Sequence, residues 1–153
     1  MERKVRPIYD ALDARNPKQA LKLCDGVLKK GAVPLVSALK AVALSRMARM
    51  DEAVSLARDV GGSLAPPVNE HVLSTLNMVF KAAGMPQEMT AACEAAFKAE
   101  PDNMELASGL FGAYMRGSDF AKAQQLSMKM HKLATARAAA SGSDGGGEHV
   151  YWA

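Results

Sequence analysis

At 153 residues, with apolar side chains at 49% and aromatic ones at only 5%, the chain has the length for one core or a short array of repeats and the small-residue composition of closely packed helices. It holds no apolar run of the ~18 residues that span a membrane, and its basic start lacks the hydrophobic stretch of a secretory signal, so a soluble, cytoplasmic protein is expected. The net charge of +3 conceals a polarity, since residues 1–50 hold 11 Lys or Arg against 4 Asp or Glu while residues 51–153 hold 8 against 12.

Residues 6–30, RPIYDALDARNPKQALKLCDGVLKK, read as a complete helical hairpin. Its first helix is expected over residues 7–14, because proline is tolerated at a first helical position, where no intrahelical partner awaits its missing N–H. Ile8 and Leu12 share one face of it. Asn16 then stands where a side-chain cap is wanted and Pro17 where a helix begins. The second helix carries an apolar stripe of Ala20, Leu21, Leu23, Cys24, Val27 and Leu28, the helical period of about 3.6. A second pair is expected over residues 34–48 and 51–60, closed by Gly61 and Gly62 in a left-handed turn. Asn69 caps a helix that reaches Ala83, before Gly84 and Pro86 reset the chain. A helix over residues 87–99 ends ahead of Pro101; Asp102 or Asn103 opens the fourth pair, over residues 104–116 and 120–138. Residues 139–148 read as a flexible Gly/Ser linker, and residues 149–153, with the single Trp, as the start of a truncated further helix. Cys24 and Cys93 fall on apolar helical faces, as buried thiols of a reducing compartment do, with a disulfide as the alternative.

The hairpins repeat. Anchored at Ala20, Ala53, Met89 and Ala123, four segments follow one another at spacings of 33, 36 and 34 residues. A period near 34 with two helices per unit is that of the tetratricopeptide repeat. In that register the position usually held by a large residue is Ala11, Leu44, Phe80 and Tyr114, and the position four beyond the anchor is Cys24, Ala57, Cys93 and Ser127. The units are degenerate: the small position of the first helix is Ile8, Ala41, Asn77 and Phe111. The expected fold is all-α, a right-handed superhelical array of about four degenerate tetratricopeptide-type hairpins over residues 1–138. Stacking supplies the continuous core that no helix buries alone.

Catalytic chemistry is not expected. His71, His131 and His149 stand apart, without metal-ligand spacing. The Gly run at residues 145–147 neither follows a strand nor opens a helix, so it cradles no phosphate, and no nucleophile elbow is present. The methionines recur at helical spacings as core filling, or alternatively as an adaptable contact surface. Repeat arrays of this type bind through the concave wall made by the first helix of each pair. Where a charged clamp for a terminal carboxylate would stand, this chain has Val5, Tyr9, Leu39, His71 and Thr75, which cannot form one. The wall offers instead Tyr9, Arg46, Met78, Lys81, Met115 and Arg116, a mixed apolar and basic surface suited to a folded protein partner. The basic pole suits an acidic partner or an RNA surface such as the ribosome, and equally a solvated helix face.

The segments RPIYDALDARNPKQALKLCDGVLKK, LKAVALSRMARMDEA and LFGAYMRGSDFAKAQQLSMKMHKL, with the terminal YWA, resemble the amino-terminal repeats of the auxiliary subunits of the NatB amino-terminal acetyltransferase complex. The resemblance covers most of the chain and departs at ARAAASGSDGGGEH, where the family has a brief proline-containing connection. It implies a non-catalytic scaffold that wraps a small catalytic acetyltransferase subunit and helps bring it to the ribosome. The nascent chains so acetylated begin Met-Asp, Met-Glu, Met-Asn or Met-Gln, and acetyl-CoA and the catalytic groups belong to the partner. No cofactor, DNA or membrane is called for. The alternative is a free-standing repeat adaptor that binds a peptide or a helical protein in its groove.

Overall fold

The computed structural model describes residues 2–144, all of whose regular structure is helical: α1 (Glu2–Asp13), α2 (Pro17–Leu28), α3 (Pro34–Arg46), α4 (Met50–Gly62), α5 (Glu70–Ala83), α6 (Pro86–Ala99), α7 (Met104–Arg116) and α8 (Phe120–Asp144). The helices pair as four hairpins, α1 with α2, α3 with α4, α5 with α6 and α7 with α8. The chain divides into two compact units, Met1–Glu100 with three hairpins and Pro101–Ala153 with one. Pro101, which lacks the N–H to continue a helix, follows α6.

One backbone device closes every hairpin. Arg15, Ala48, Gly84 and Ser118 occupy register-equivalent turn positions, and all four have left-handed φ, at 58°, 62°, 69° and 58°. Across each of them a following amide donates to a carbonyl five residues back: Asn16 to Ala11 (2.9 Å), Arg49 to Leu44 (3.0 Å), Met85 to Phe80 (2.9 Å) and Asp119 to Tyr114 (2.9 Å). The left-handed residue itself donates to Leu12, Ser45, Lys81 and Met115 respectively. A left-handed L-residue costs about 1 kcal/mol, and two backbone hydrogen bonds at about 1 kcal/mol each offset it. The next helix then starts within two residues. Asn16 caps α2 by accepting from the Gln19 amide (3.2 Å), and Asp119 accepts from Lys122 (3.3 Å) at the start of α8. Between hairpins, Asn69 and Asn103 cap α5 and α7 in the same way.

In the unit Met1–Glu100, α3 is the central helix, packed against α1, α2, α4 and α5. Its Val36, Ala38, Leu39, Ala41, Val42, Ala43 and Leu44 are all buried. Small residues at the hairpin crossings, Ala20, Ala53 and Ala57, are fully buried, so the paired helices approach closely. Two ion pairs tie neighbouring elements, Lys40 to Asp25 (2.8 Å) and Arg58 to Glu88 (2.8 Å), and the Val68 amide donates to the Glu100 carboxylate (2.8 Å). In the unit Pro101–Ala153, α7 packs on α8 through Leu106, Ala107, Leu110, Ala113 and Tyr114 against Ala123 and Leu126.

Three expectations need correction. The first helix begins at Glu2, with Pro7 inside it, because Val5 extends the buried stripe of Ile8, Ala11 and Leu12 by another turn. Gly61 and Gly62 do not close α4 through a left-handed turn; both are helical. Gly61 is buried, and a Cβ there would meet Cβ of Ala92 at 3.4 Å, in ordinary van der Waals contact, so it lies where α4 faces α6. Helix α8 runs on to Asp144, so residues 139–144 continue the helix where a linker was expected, carried by the strong helix-forming run ATARAAA. The rest of that linker and the truncated helix at residues 149–153 lie outside the described residues.

Two predictions follow from the turns and the core. Ala48→Gly should stabilise the chain by about 1 kcal/mol and Gly84→Ala should destabilise it by a similar amount, as read by urea unfolding; equal signs for the two would contradict the turn geometry. Both cysteines are free of disulfides. Burial, reinforced by Asp25 and partly opposed by Lys40, pushes the Cys24 thiol up from 9.0 to about 12, so it stays protonated and unreactive at neutral pH. Mass spectrometry after brief alkylation should find half-buried Cys93 modified first, and Cys24 only on unfolding.

Candidate functional site

In the unit Met1–Glu100 the first helices of the three hairpins form one layer, with α3 packed on both α1 and α5. Tyr9, Val42 and Met78 hold the same repeat position on these helices. Val42 in the centre is 3% exposed, whereas Tyr9 and Met78 to either side are 38% and 50% exposed. The layer therefore presents apolar side chains from its flanking helices, while the middle of α3 is spent on the core. The positions at which a carboxylate clamp would stand are turned to other uses. Val5, Leu39 and Thr75 are buried, and the Thr75 hydroxyl donates to the His71 carbonyl (2.6 Å).

The expected basic members of the surface sit at the carbonyl ends of their helices. Arg46, Lys81 and Arg116 lie in the last turns of α3, α5 and α7, where a cation is favoured by the helix dipole. Arg46 has a further task. Its Nη1 donates to the Leu12 carbonyl at 3.0 Å, the same carbonyl that accepts the Arg15 amide, so the second hairpin holds the closing turn of the first. Lys81 is exposed. Met115, 44% exposed, and Arg116 belong to the unit Pro101–Ala153, where the Arg116 guanidinium lies 3.3 Å from the place a Cβ on Gly112 would occupy.

One feature beside Arg46 had no expectation from the sequence. An open hollow of about 540 Å³ is lined by Leu12, Asp13, Arg15, Pro17 and Arg46. Its signal in the sequence is an arginine at the turn position that Ala48, Gly84 and Ser118 hold in the other repeats. Among the described residues no helix is long and apolar enough to cross a membrane.

Residues 2–139 match the family model described as Psidin, N-terminal TPR repeats region. The chain is 40% identical over 138 residues to the N-terminal acetyltransferase B complex auxiliary subunit NAA25 of Arabidopsis thaliana, covering 87% of this chain and 13% of that one. It is 36% identical over 133 residues to N-alpha-acetyltransferase 25, NatB auxiliary subunit, of Rattus norvegicus, covering 86% and 14%. It is also 30% identical over 132 residues to the Phagocyte signaling-impaired protein of Drosophila pseudoobscura pseudoobscura, covering 86% and 14%. The chain thus spans about 14% of the length of these curated relatives. Among solved structures, MamA from Desulfovibrio magneticus RS-1 aligns over 88% of this chain and 95% of its own at 16% identity and a TM-score of 0.37, a likeness too loose to inform the site.

The double role of Arg46 is testable. Arg46→Ala should cost about 1 kcal/mol through the lost bond to Leu12, measured by urea unfolding, while Lys81→Ala, which removes a surface cation that forms no ion pair among the described residues, should stay within about 0.5 kcal/mol.

Proposed function

The chain belongs to the Psidin family, in its N-terminal tetratricopeptide-repeat region, and on that footing we propose that it is part of a non-catalytic scaffold subunit of the NatB amino-terminal acetyltransferase complex. The observation that carries this reading is identity of 36% and 40%, across nearly all four hairpins, to proteins named as that complex's auxiliary subunit. In this reading the hairpins hold a catalytic acetyltransferase subunit, which supplies acetyl-CoA binding and the transfer itself. The half-exposed Tyr9 and Met78 on α1 and α5 serve as apolar anchors, with Arg46 and Lys81 beside the ends of their helices; Met115 and Arg116 on α7 add a second contact. Aromatic, methionine and arginine side chains are the types enriched at such interfaces. The excess of cations in residues 1–50 supports assistance in ribosome association. The work is then co-translational and cytoplasmic, on nascent chains beginning Met-Asp, Met-Glu, Met-Asn or Met-Gln, the class implied by the resemblance.

The test is co-purification of the full-length protein with the catalytic subunit. Tyr9→Ala combined with Met78→Asp should reduce the bound fraction by about tenfold or more, since losing even one anchoring side chain costs that much. Unchanged co-purification would remove this layer from the interface. Failure of the unaltered full-length protein to bring down any acetyltransferase would overturn the scaffold reading itself.

A further inference from the structure

We draw no further inference here: the strongest candidate, the row of exposed Lys18, Lys22 and Lys29 along α2, where the intervening Asp25 is paired with Lys40 at 2.8 Å, belongs to the basic pole already read as assisting ribosome association and holds nothing that selects one anionic partner over another.

Discussion

The amides of Asn16, Arg49, Met85 and Asp119 each reach back across a left-handed residue to the carbonyls of Ala11, Leu44, Phe80 and Tyr114, and the pairing of helices follows from those four bonds. Each turn stops one helix and starts the next within a few residues, so the second helix is returned along the first. Ala20, Ala53 and Ala123 then meet the preceding helix with almost no exposed surface. Because the device is made by backbone groups, the side chains at the acceptor position are free to range from alanine to tyrosine, provided they stay buried. That freedom is the physical basis of the repeats' degeneracy: the backbone pattern recurs while the letters change.

Where a helix boundary depends on a local chemical signal, it was legible from the sequence. Asn16, Asn69 and Asn103 cap helices because their carboxamides accept backbone amides, and the period of the anchors placed all four hairpins in register. Boundaries set by tertiary contact were not. The start of α1 depends on Val5 finding a buried place, which outweighs the expectation that Pro7 opens the helix. Gly61 carries the same letter as a left-handed closing residue, yet it lies buried inside α4 where that helix faces Ala92 of α6. The reach of α8 follows from alanine propensity, which the glycines beyond it obscured. Of the surface residues, Tyr9, Met78 and Met115 are exposed, but that Arg46 binds the first hairpin's turn could not be read without the fold, because Leu12 is 34 residues away.

The burial of α3 decides what kind of surface the unit Met1–Glu100 can offer. A central helix packed by four neighbours has little side-chain chemistry left to display, so recognition falls to α1, α5 and the turns. The layer accordingly combines half-exposed apolar groups with cations at helix ends. Such a surface is suited to gripping another folded protein. A scaffold role fits this arrangement, since holding a partner needs a stiff frame with a few anchors, and the in-register turns provide that stiffness.

The most direct measurement is amide hydrogen exchange of the full-length protein with and without the catalytic acetyltransferase subunit proposed as its partner. The amides of Asn16, Arg49 and Met85 should be protected in both states, because the turns are part of the frame, and α1 and α5 should gain protection on binding around Tyr9 and Met78. Fast exchange at the turn amides, or complex formation that leaves α1 and α5 unchanged, would contradict a frame closed by left-handed turns that holds its partner through this layer.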